Sequence, residues 1–120
     1  MKTTQGKVLN AYAAMARIRR KVKGRDALDL FQLKNRLQEN IDFQGEEEMK
    51  LVEEFGGQVT QEGTVLIADD EKRAAFNKAI TDLREMEVEI KAEAPVISLD
   101  RCPEITMEDI EQLHEFINFE

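Results

Sequence analysis

The sequence predicts a mainly α protein with a minor β component. The expected architecture is an antiparallel pair of long helices with a short β-hairpin at its tip, preceded by a basic amphipathic helix and followed by a short C-terminal helix. Three observations carry this. Apolar residues recur at three- and four-residue intervals through most of the chain. Aromatic residues make up only 6% and tryptophan is absent, which is lean for a sheet sandwich. The strand-like runs are short and bounded by Gly or Pro. At 120 residues there is room for one hydrophobic core, so a single domain over 1–120 is expected.

The first helix is expected over 7–22, where Val8, Ala11, Tyr12, Met15, Ile18 and Val22 share one arc. Arg17, Arg20 and Lys21 fall on the opposite side, and Arg19 falls among the apolar positions, from which it must snorkel outward. Gly24 is expected to end this helix. Asp26 then reads as the N-cap of helix two, with Asp29 favouring its positive end. The stripe of helix two is Leu30, Leu33, Leu37 and Ile41, then Leu51, Val52 and Phe55, with Gln44 and Glu48 at the intervening in-phase positions. One unbroken helix is expected, about 40 Å long at 1.5 Å per residue. Gly45 opposes this by about 1 kcal/mol relative to alanine, and a kink there is the alternative. Phe31 and Met49 lie off the stripe, on a face expected to receive helix one or a neighbouring subunit.

Gly56 and Gly57 stop helix two, and the β-branched run from Gln58 to Ala68 about Glu62-Gly63 reads as a hairpin. Asp69 or Asp70 caps helix three, with Phe76, Ala79, Ile80, Leu83 and Met86 on its buried face. Val88 and Ile90 alternating with Glu87, Glu89 and Lys91 fit either a frayed helix end or a strand. Pro95 breaks the chain, Val96 to Leu99 reads as extended, and Pro103 bounds a loop. Thr106 and Asp109 form a capping-box pattern before a last helix whose edge is Ile110, Leu113 and Ile117.

Charge is unevenly distributed. The net charge is −8, yet residues 1–25 carry eight basic side chains and no acidic one, leaving nine basic and 25 acidic residues in the remainder. Such a chain can satisfy itself internally, pair head to tail with a copy, or offer its ends to different partners. No apolar run approaches the roughly 20 residues needed to cross a bilayer, so no membrane partner is expected. The N-terminus shows no secretory pattern and the single Cys102 fits a reducing compartment, so a cytoplasmic site of synthesis is expected.

No catalytic, cofactor or metal site is expected. Cys102 and His114 are the only members of their kinds, which leaves too few soft ligands for zinc. The acidic clusters Glu46-Glu47-Glu48, Asp69-Asp70-Glu71 and Glu108-Asp109 lack the spacing of a calcium loop and read as solvated faces or helix starts. Cys102 and His114 as nucleophile and base have no recognisable orienting group or oxyanion hole. Asp69, Asp70 and Glu89 with Lys91 are faintly similar to the acidic-and-lysine core of metal-dependent nucleases, a combination that charged chains also produce by chance. Phosphate-binding glycine loops are missing. The basic run Arg17, Arg19, Arg20, Lys21, Lys23 and Arg25 is a candidate for nucleic acid, set against pairing with the acidic helices.

Residues 37–90 resemble small uncharacterised helical proteins of phages and prophages of Gram-positive bacteria. The resemblance rests on the Glu/Lys-rich stretch from Glu46 to Phe55, the Glu62-Gly63 turn, the lone Phe76 and the Glu-Val-Glu-Ile sequence at 87–90. It implies a phage origin and a helical pair, with no catalytic residues to carry over. The resulting expectation is a noncatalytic protein acting by protein–protein interaction, assembly or self-association, with Arg17, Arg20, Lys21, Phe31 and Met49 as candidate contacts. The alternatives are an acidic inhibitor of a host nucleic-acid enzyme and a nucleic-acid-binding regulator using the first helix.

Overall fold

The computed structural model describes every residue from Met1 to Glu120. In chain order the elements are β1 (Lys2–Thr4), α1 (Gln5–Ile18), α2 (Gly24–Glu54), β2 (Gln58–Val59), β3 (Val65–Leu66), α3 (Asp70–Glu85), β4 (Glu87–Glu89), β5 (Val96–Ile97), α4 (Met107–Leu113) and β6 (Asn118–Phe119). The protein is mainly α, with three two-stranded pairings: β1 with β4 and β2 with β3, both antiparallel, and β5 with β6, parallel.

Thr4 caps α1 by accepting a hydrogen bond from the Lys7 N–H. The helix ends at Ile18, four residues short of expectation, because the Lys21 N–H closes a turn onto the Ile18 carbonyl at 2.8 Å. Val22 still reaches the core, but from the connecting turn. Gly24 opens α2 instead of ending α1, and its φ of +61° supplies the left-handed step that reverses the chain. Asp26 is therefore not a cap. It sits inside the first turn of α2, in phase with Leu30, Leu33 and Leu37, and is buried with them.

As expected from its stripe, α2 runs unbroken for 31 residues through Gly45. Its first half packs Leu30, Leu33 and Leu37 against Val8, Ala11, Met15 and Ile18 of α1. The stripe then turns polar, and α1 supplies the partner. Buried Gln5, in phase with Val8 and Met15, donates from Nε2 to the Asn40 carbonyl at 2.8 Å and to Gln44 Oε1 at 3.3 Å. It accepts from Asn40 Nδ2 at 3.1 Å, and Gln44 Nε2 donates to Glu48 at 2.8 Å. A buried amide group left without a partner is costly, so these mutual bonds explain how Gln44 stays in register on a buried face.

Beyond this polar node α2 enters a second, smaller core of Val52, Ile67 and Phe76, flanked by Leu51, Phe55, Val65 and Ile80. The rings of Phe55 and Phe76 meet edge to face with centroids 6.2 Å apart. The β2–β3 hairpin closes this end, and Gly63 (φ +84°) makes its turn. α3 starts at its Asp69 cap, which accepts from the Lys72 N–H at 2.9 Å, and returns antiparallel to α2, with Leu51 and Glu47 facing Ala79, Leu83 and Met86 across a groove.

Met86, expected on helix three, already lies in extended backbone, and the alternating 87–90 segment resolves as strand β4. Its partner is the N-terminal strand, with Lys2 opposite Glu89 and Thr4 opposite Glu87. Downstream, β5 and β6 pair, and Ile90, Ile97, Cys102, Leu113, Phe116 and Ile117 complete the main core against α1 and the first half of α2. The larger core thus joins α1, α2 and the C-terminal segment, and the α2–α3 pair projects from it as an arm. The molecule measures 53 × 29 × 21 Å. No helix is long and apolar enough to cross a membrane.

Candidate interaction surfaces

Basic residues of α1 and of the turn after it face the C-terminal segment. Lys7 pairs with Glu115 at 3.2 Å, Arg17 donates to Gln112 Oε1 at 2.6 Å, and Lys21 pairs with Asp109 at 2.7 Å. The chain's charge asymmetry is thus partly satisfied internally. Asp109 is also the third residue of α4, where it completes the capping box with Thr106. Burial alone would raise the Asp109 carboxyl, but the bonds from Lys21 and Thr106 together outweigh it and hold the group below its ordinary range. Among the sequence candidates for phosphate contact, Arg17 and Lys21 therefore engage the protein itself. Arg20 remains exposed with Arg19 and Lys23, none of them in an ion pair, and Arg19 needs no snorkelling because the helix has already ended.

A second ion pair fixes the loop after β5. Asp26, 1% exposed, accepts from Arg101 Nη2 at 2.9 Å and Nε at 3.2 Å, from the Ser98 N–H at 3.4 Å and from the Cys102 thiol at 3.5 Å. The Arg101 guanidinium is the main reason the Asp26 carboxyl lies below its usual range, overcoming the opposing effect of burial. Burial in turn pushes the Cys102 thiol up, away from the reactive thiolate. The sequence held a sign of this clamp: Asp26 is in phase with the apolar stripe of Leu30, Leu33 and Leu37, and a carboxylate buried there needs a cation or several donors.

The residues weighed for catalysis do not assemble. Cys102 is buried beside Asp26, whereas His114 is exposed at the end of α4 and lines a cleft with Lys7, Arg17 and Glu115. Asp69 and Asp70 start α3 while Glu89 and Lys91 follow its end, about 24 Å away along a helix of this length. No three His, Cys, Asp or Glu side chains converge as a metal-binding group would. The largest cleft, about 730 Å³, lies open between α2 and residues 91–95 and is lined mostly by polar groups such as Gln32, Asn35 and Arg36.

Phe31 and Met49 do not receive α1, contrary to the first of the two roles expected for that face. α1 packs on the neighbouring face, where Tyr12 donates to Gln38 at 2.6 Å and Lys34 lies 5.0 Å from the Tyr12 ring centroid. Phe31 is 59% and Met49 53% exposed. Further apolar side chains, missed from sequence, are as open: Val59 at 50% and Leu66 at 56% on the hairpin, and Met107 at 76% at the start of α4 on the body. The poor alternation of 58–68 hid Val59 and Leu66, since in a two-residue strand periodicity cannot assign a face. Met49, Val59 and Leu66 lie on the arm, where residues 46–71 carry nine acidic side chains and one basic one.

Comparison with protein-family models, curated proteins and solved structures gives no match. The geometry of the chain itself carries the functional reading.

Proposed function

We propose that this chain is a phage-type protein that works without catalysis, by binding another protein through its arm. The observation that carries this reading is the exposure of Met49, Val59 and Leu66 within a stretch, residues 46–71, that holds nine acidic side chains and one basic one. Apolar side chains of this size are left in water most usefully where a partner will cover them, and the nine carboxylates carried by residues 46–71 favour a partner with a basic surface. The same carboxylates disfavour nucleic acid as the arm's ligand. The resemblance of residues 37–90 to phage proteins, which spans this arm, supports the assignment to that class.

The test compares immobilised wild-type chain with a Val59→Ser/Leu66→Ser variant, both presented to lysate of the producing cells. A protein with a basic surface held by the wild type and lost by the variant supports the reading. Equal retention by both, or retention of nothing, sinks it. A narrower reading, favoured by the nine acids, makes the partner a host nucleic-acid enzyme whose phosphate-binding surface the arm imitates. It requires inhibition of a nuclease or polymerase that salt relieves, and inhibition indifferent to salt would exclude it.

A further inference from the structure

We infer that the arm opens as a unit separate from the body, with α2 yielding at Gly45. This stands on the packing of the chain itself and is independent of whether the arm binds a protein. Along α2, no apolar residue is fully buried between Leu37 and Val52, and the one buried side chain in that interval is the amide of Gln44. The apolar contacts therefore fall into two sets, fifteen buried residues in the body and three in the arm, joined along α2 by the polar node of Gln5, Asn40 and Gln44 and at the far end of α3 by its close approach to α1 at Gly6 and Arg84. Segments with few buried apolar contacts open at lower free energy than the main core.

Gly45 lies just beyond that node. A Cβ built there meets nothing within 4 Å, and its φ is not positive, so neither a close approach nor a left-handed turn requires glycine. A glycine at this position weakens the helix without improving any contact. The second strut offers little resistance, because Phe76 is the one fully buried residue of α3. Local unfolding of the arm parts α2 from α3 and exposes Val52, Phe55, Ile67 and Phe76 together, a larger apolar surface than the closed form presents.

Native-state hydrogen exchange read by mass spectrometry on the full chain tests this. In the wild type, amides of 46–80 are expected to exchange at least about 100-fold faster than the slowest amides of α1 and of 30–41, and with a weaker dependence on urea. Phe76→Ala should strip protection from 46–80 while 8–18 and 30–41 stay protected. Gly45→Ala should slow exchange across the arm by about fivefold. Equal rates and equal urea dependence across body and arm in the wild type would overturn the inference. So would a Phe76→Ala chain that loses protection uniformly, or a Gly45→Ala chain whose arm exchanges no more slowly.

Discussion

Replacing Asp26 by Asn tests how the C-terminal segment is held to the body. The substitution keeps shape and one acceptor but removes the charge, and it turns an NH2 toward a site where every neighbour donates: Arg101 through two nitrogens, the Ser98 N–H and the Cys102 thiol. Whichever way the amide is turned, at least one charge-assisted bond is lost and a donor faces a donor. Because Arg101 is largely open to solvent, water recovers its guanidinium and limits the damage. The expected cost at pH 7 is about 2 kcal/mol. With an unfolding entropy of about 2.1 cal/mol/K per residue, that lowers Tm by about 8 °C for a chain of this size.

The pH dependence follows from the direction of the shift. The folded-state carboxyl of Asp26 is held below its unfolded value, so its contribution is fully present above an unfolded pKa of about 3.9 and disappears as pH falls through the folded value. Urea unfolding followed by circular dichroism at pH 7 and at about pH 2 should therefore show the wild-type advantage in neutral solution and its loss in acid. An advantage under about 0.5 kcal/mol at pH 7, or one unchanged in acid, would refute the argument.

Asp109→Ala removes both the capping-box acceptor of α4 and the partner of Lys21, and should cost about 2 kcal/mol in urea unfolding. Its carboxyl is also held low, so this difference too should shrink below about pH 4. Cys102, buried and with a raised pKa, should resist iodoacetamide at pH 8 in the native chain and react fully in urea, which mass spectrometry reads directly.

Much of the architecture was legible because the helical stripes are long. Leu30, Leu33, Leu37, Gln44, Val52 and Phe55 keep one register across Gly45, and periodicity of that length outweighs the roughly 1 kcal/mol that a glycine costs. The Asp69 cap and the Thr106–Asp109 box were legible because capping chemistry is local. What sequence did not disclose is long-range. The pairing of Lys2 with Glu89 joins segments 87 residues apart that share no local pattern. Asp26 beside a glycine imitates a cap, and its real partner lies 75 residues on at Arg101. The candidate surface on the arm was partly visible: Met49 was off the stripe and is exposed, as is Phe31 on the body half of α2, whereas Val59 and Leu66 sit in strands too short to show a face.

The most direct test of the arm as the binding surface places a photoactivatable benzoylphenylalanine at Leu66, and in a separate chain at exposed Glu104 on the body. Irradiated in producing cells, the Leu66 chain is expected to form a discrete adduct with one protein, a second copy included, while the Glu104 chain forms none. An adduct from Glu104 with none from Leu66 would contradict the account.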